Sequence, residues 1–301
     1  MPTVKPQPTP ALAFRMTLGP AVGRADDFYA LGFCPELDEH ERRADPSHTS
    51  FTFIVRYDRL KKTIVDRVRA RLDGLWQPPQ PPLLAVGEPS GIIEIDATGA
   101  REVALSPPPL GEFNAVWGAS DAHVFACGGQ YQPFVFYRRG GKWLHLPAPV
   151  GAAPPNDVRG FHENEVYFVA EKGQIWLWDG QSLTQRAVPT TRHLTGIAQL
   201  NDKLMCISGY QGTLLVGSKV GWRIVPTGTE EPLLSIASLH GAAYYGADGA
   251  LFSFDGVSPP SRVIDVPARW VSSLDDALVL VDGEDAGLFR QGVMTSIDTT
   301  V

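Results

Sequence analysis

The strongest constraint on this chain is a unit that it writes over and over. A glycine stands directly before a short apolar run at Gly91 (IIEI), Gly173 (QIWLW), Gly212 (TLLV), Gly249 (ALFSF) and Gly287 (LFR), and Pro133 before FVFY fills the gap between the first two. The spacing is about 40 residues, the period of stacked supersecondary units that cannot bury their apolar faces alone. A second column closes each unit: Pro107, Pro147, Pro189, Pro226 and Pro267 follow the alternating runs REVALS, KWLHL, LTQRAV, WRIV and SRVIDV. Proline cannot donate to a sheet ladder and is confined to edges and strand ends, so these runs read as outermost strands.

A third column opens each unit. VWGASDAHVF aligns without gaps on VRGFHENEVY, and the same offset gives GIAQLNDKLM, SIASLHGAAY and WVSSLDDALV. The third position is always small, at Gly118, Gly160, Ala198, Ala237 and Ser272, as expected of innermost strands that converge on an axis where bulk would collide. Each unit therefore reads as four antiparallel strands, a to d. The Asp-Gly pairs in QIWLWDGQSLTQRAVP and ALFSFDGVSPPSRVIDVP are expected to turn strand c into strand d through two-residue type I′ turns, which need positive φ at both central positions.

Composition agrees with many short strands. The 30 glycines and 26 prolines are suited to tight turns, and only 20% of residues are charged. The first ten residues read as a flexible lead-in and 11–301 as one domain, with units at 11–68, 69–108, 113–149, 156–189, 193–227, 232–267 and 269–301. The first is irregular, because CPELDEHERRADPSHT interrupts strands DFYALGF and SFTFIVRYD. RLKKTIVDRVRARL at 59–72 carries apolar residues at a helical spacing, but the unit pattern requires an outer strand there, with basic side chains guarding its edge.

These columns resemble the β-propeller superfold, in a degenerate form similar to the BNR-type and WD-type propellers. The resemblance implies an all-β fold of seven four-stranded blades, and a functional face where the d–a and b–c loops surround the central channel. The sialidase motif S-x-D-x-G-x-x-W and the paired GH and WD dipeptides are both missing. On that face the resemblance places the acidic insert with Glu36, Asp38, Glu39 and Glu41, and the d–a loops at 106–113, 147–157 and 189–193. Arg192 and His193 in the last of these are candidate contacts. Arg159 is a third, because Trp76, Trp117, Ile197, Ile236 and Val271 hold its column in other units. A buried guanidinium needs a carboxylate or carbonyls, so Arg159 reads either as an internal salt bridge with Asp157 or as an anion site near the axis.

No catalytic signature appears. The seven histidines have no H-x-H or H-E-x-x-H spacing, and no G-x-S-x-G elbow or phosphate-cradling glycine loop is present. No catalytic residue, metal ligand or cofactor is assigned. The net charge of −7 argues against a general nucleic-acid binder and favours a basic protein or a cationic ligand. No apolar run approaches the roughly 20 residues of a membrane helix. Cys34, Cys127 and Cys206 cannot all pair and lie in different units, so free thiols in a reducing cytoplasm are expected. The expected function is a non-catalytic protein-binding propeller: a cytosolic adaptor, an assembly factor, or a bacterial immunity protein docking a basic toxin or effector. The alternative is a propeller lyase or hydrolase with a channel-mouth active site.

Overall fold

The computed structural model describes residues 15–34, 51–88, 91–96, 98–130 and 132–300. They form seven sheets of four antiparallel strands, each sheet ordered as the chain runs, so the chain is an all-β seven-bladed propeller. The first strands are Thr17–Arg24, Arg71–Trp76, Phe113–Ser120, Pro155–His162, Leu194–Gln199, Ala237–Leu239 and Trp270–Ser273. Each touches the first strand of the next sheet, and the last touches the first, so these strands ring the axis. The fourth strands lie outermost; Lys61–Val68 is that of blade 1, so the basic run forms an edge strand rather than a helix.

Burial explains the sequence pattern. The second strand of blade 4, EVYFVA, is covered on both faces and is buried at every position. Its outer counterpart in blade 3, KWLHL, has no fully buried residue. The apolar side chains of each blade meet those of the next. Phe125 of blade 3 stacks on Tyr137 at 4.5 Å and meets Phe168 of blade 4 edge-on at 6.0 Å. Such pairs add about 0.5–1.5 kcal/mol beyond the apolar area they bury.

The two glycines of the third column have a more specific cause than crowding at the axis. A Cβ on Gly118 would stand 2.5 Å from the Trp76 ring, and one on Gly160 would stand 2.7 Å from the Trp117 ring. Each tryptophan of one innermost strand thus lies over the glycine of the next blade.

A ring of hydrogen bonds accompanies this packing. The first strands of blades 2, 3 and 4 carry bulges that leave Asp73, Asn114 and Asn156 outside the ladder. Asn114 Nδ2 donates to Pro155 O at 2.8 Å, and Asn156 Nδ2 donates to Leu194 O at 2.7 Å. Thr195, at the bulge of blade 5, donates through Oγ1 to Leu233 O. Each link ties one inner strand to the chain entering the next blade.

The ring is closed by the last residues of the chain. Met16 N donates to Thr299 O at 2.9 Å, and Arg15 bridges Thr300. Asp298 accepts from Thr300 and from Lys62 Nζ of blade 1, which together hold its carboxyl down at about 2. Beneath them Leu274, Val279, Leu288 and Ile297 pack against Met16, Leu18, Phe28 and Tyr57.

The Asp-Gly hairpins differ from the expectation. Strand Ile175–Trp178 leads to Leu183–Arg186 through four residues, and only Gly180 of the Asp-Gly pair has positive φ. Asp179 Oδ1 accepts from Gln181 N at 2.9 Å and Ser182 N at 2.8 Å, and Asp255 repeats the pattern with Val257 and Ser258. The side chain builds the turn, which lets the loop be longer than a type I′ turn. Positive φ at both central positions of a two-residue turn occurs instead at Arg59-Leu60, Gly140-Gly141, His240-Gly241, Asp248-Gly249 and Gln291-Gly292. Cys127 and Cys206 are free and buried, and burial pushes the Cys206 thiol up to about 12.

Gly160→Ala would force its Cβ against the Trp117 ring at 2.7 Å and Glu165 O at 2.8 Å, whereas a Cβ on Gly221 meets nothing within 4 Å. Urea unfolding is expected to show a loss of about 1–3 kcal/mol for Gly160→Ala and a change within about 0.5 kcal/mol for Gly221→Ala.

Candidate functional site

Strand a of every blade starts at the d–a loop, so residues early in these strands stand at the mouth of the central channel. In blade 4 the early residues are Asn156, Asp157 and Arg159, each partly exposed although the strand is innermost. Asn156 lies on the bulge and faces blade 5, where its amide also comes within 2.9 Å of His193 Nε2. The His193 ring stacks on Tyr210 with centroids 4.8 Å apart, and its Nδ1 lies 3.9 Å from Glu171 Oε1. His193 is therefore built into the junction of blades 4 and 5.

Arg192, its chain neighbour, points elsewhere. Its Nη1 donates to Gln211 O at 2.7 Å. It borders an open cleft of about 800 Å³ between the d–a loops that follow blades 4 and 5, with Thr190, Ile224 and Glu230 among the other walls. Arg192 and His193 are adjacent in sequence and on the same face, yet they serve two different surfaces.

Asp157 and Arg159 do not form the expected salt bridge. Asp157 Oδ1 accepts from Val158 N at 2.8 Å, and its Oδ2 accepts from Ile197 N of blade 5 at 2.9 Å. Backbone donors thus occupy the carboxylate. Burial raises its pKa above the usual range, against the attraction of Arg159 and the two N–H groups. For Arg159 burial lowers the pKa, and Asp157 acts in the opposite direction. Among the described residues the guanidinium has no hydrogen bond and no ion pair within 4 Å.

The sequence reading missed an acidic group on the same face. Asp73 of blade 2 shares the bulge column with Asn114 and Asn156, and its Oδ1 accepts from Arg71 Nε at 3.0 Å. Burial raises its pKa, and burial together with Glu88 raises that of Glu112 in the following loop. The column was visible: Asp73, Asn114 and Asn156 each stand three residues before Trp76, Trp117 and Arg159. Large apolar groups also open onto this face, with Trp270 at 49% exposure, Leu110 at 74% and Val150 fully exposed. Glu36, Asp38, Glu39 and Glu41 lie outside the described residues; the strands that flank their insert end at Cys34 and begin at Phe51.

No group of three or more His, Cys, Asp or Glu among the described residues is placed to hold a metal ion. No helix among them is long and apolar enough to cross a membrane.

No protein-family profile matches the chain. Over 146 residues it is 32% identical to the immune protein Tsi7 of Pseudomonas aeruginosa, a match covering 45% of this chain and 47% of that protein. The chain thus matches about half the length of this curated relative. Among solved structures, the WD40 β-propeller domain of Doa1 superposes with a TM-score of 0.70 at 14% identity, covering 93% of this chain and 96% of that one. Catalytically inactive virginiamycin B lyase from Staphylococcus aureus with quinupristin gives 0.67 at 11% identity, covering 90% and 94%. At such identities these two superpositions show the fold alone.

Asn156→Ala removes the donor to Leu194 O and leaves that carbonyl at the blade 4–5 junction without its partner. A loss of about 1–2 kcal/mol is expected in urea unfolding.

Proposed function

We propose that this chain is a non-catalytic immunity protein of the bacterial cytoplasm, whose d–a and b–c loop face docks and neutralises a protein toxin. The observation that carries the reading is the 32% identity over 146 residues to an immune protein. Three features of the chain support it. This face carries exposed apolar groups, Leu110 and Val150 on its loops and Trp270 at the start of an inner strand, of the kind that anchor protein contacts. The net charge of −7 favours a basic partner. Cys127 and Cys206 are free thiols, in keeping with a reducing compartment.

On this reading the insert with Glu36, Asp38, Glu39 and Glu41 steers encounter, because opposite charges across an interface mainly accelerate association. Arg192 and its cleft form part of the rim, and His193 holds the blade 4–5 junction in shape.

The test begins with the chain as bait in an extract of its native host. The captured partner is expected to arrest growth when expressed alone and to be harmless when the chain is co-expressed; a partner without toxicity would contradict the immunity reading. Stopped-flow association then examines the insert. The variant Glu36→Gln, Asp38→Asn, Glu39→Gln, Glu41→Gln is expected to associate about tenfold more slowly at low salt, the two rates converging at high salt. Equal rates at low salt would remove the insert from the steering surface.

A further inference from the structure

We infer that Arg159, on the innermost strand of blade 4, is a receptor for a carboxylate, independent of the toxin reading above. Its column is otherwise apolar: Trp76, Trp117, Ile197, Ile236 and Val271 are all buried. A guanidinium beside such neighbours is only partly hydrated and gains from acceptors that fit its N–H groups. Arginine brings five N–H donors. None of them meets an acceptor among the described residues.

The one nearby carboxylate is already engaged. Asp157 lies two residues before Arg159, on the same face of the strand, and its two oxygens accept from Val158 N and Ile197 N. It attracts Arg159 without bonding to it. Arg159 nevertheless remains partly exposed. A charge whose donors meet no protein acceptor among the described residues is thus open to solvent at a position where five other blades carry apolar cover.

The surroundings also select the ligand. A planar guanidinium presents paired N–H groups that match the two oxygens of a carboxylate. The negative charge of Asp157 close by disfavours a dianion such as phosphate, so a monoanion fits. The carboxylate is either a free small molecule or an acidic side chain that a bound protein presents to the guanidinium.

A position kept for binding rather than for stability behaves differently from a structural one. Arg159→Leu restores the apolar character of the column, and in sodium chloride it is expected to melt at or above the wild-type temperature. Sodium acetate at matched ionic strength is the probe. Wild-type Tm is expected to rise by roughly 2–4 °C once acetate stands about tenfold above its Kd. Arg159→Leu should show no rise, and Arg159→Lys, which keeps the charge and loses the fork, should show a smaller one. An equal acetate effect in wild type and Arg159→Leu would overturn the inference. So would a Tm for Arg159→Leu well below wild type in chloride, because that marks a structural arginine. Native mass spectrometry of the chain purified from its host separates the sources. A small carboxylate carried by wild type and missing from Arg159→Leu identifies a free ligand; a bare wild-type chain that still responds to acetate assigns the site to a partner's side chain. Neither result depends on the growth assay, so this inference and the immunity reading fail separately.

Discussion

A four-stranded sheet that is apolar on both faces has to be covered on both faces, and in this chain only another copy of the same unit provides that cover. The requirement propagates from blade to blade until the last sheet meets the first. It explains why Trp76 and Trp117 lie over Gly118 and Gly160 of the following blades, and why the bulged Asn114 and Asn156 reach across to the next inner strand. It also explains the closure, where Thr299 and Thr300 return to Arg15 and Met16 and Asp298 receives Lys62. The hydrophobic term is supplied by apolar area between blades. The polar links at the inner edge fix the angle at which the blades meet.

Much of this architecture was legible because it repeats. The glycine before strand c, the proline after strand d and the small residue in strand a recur at one register, and the ring of seven sheets follows from them. Legibility ended where a feature depends on residues far apart in sequence. The pairing of Met16 with Thr299 leaves no local pattern. The Asp-Gly turns were placed correctly, yet the Asp179 and Asp255 carboxylates cap longer loops, and that choice is made by side-chain hydrogen bonds rather than by the dipeptide. The glycines of the third column were found in the right place, and their cause is an aromatic ring supplied from the preceding blade.

The candidate site was legible to a smaller degree. Arg159 stood out as a charge in an apolar column, and the structure keeps it there. What the sequence concealed was the partner of Asp157, since Ile197 N lies 40 residues away in the next blade. Both oxygens of that carboxylate accept from backbone N–H groups, and the partly exposed arginine is left without a protein acceptor among the described residues. Arg192 and His193, neighbours in one loop, separate into a cleft wall and a junction residue. Asp73 could have been found from its spacing before Trp76, which matches that of Asn114 and Asn156 before Trp117 and Arg159, but the bulge that gives the column its meaning shows only in the paired strands.

The central functional claim is that the chain acts by docking a protein on the face formed by its d–a and b–c loops. Hydrogen–deuterium exchange on the chain, free and with its captured partner, tests it most directly. The account predicts new protection in the loops at 106–113, 147–157 and 189–193, with the outermost strands Lys142–Leu146 and Val293–Ser296 unchanged. Protection confined to those outer strands, or to the turns on the opposite face, would contradict it.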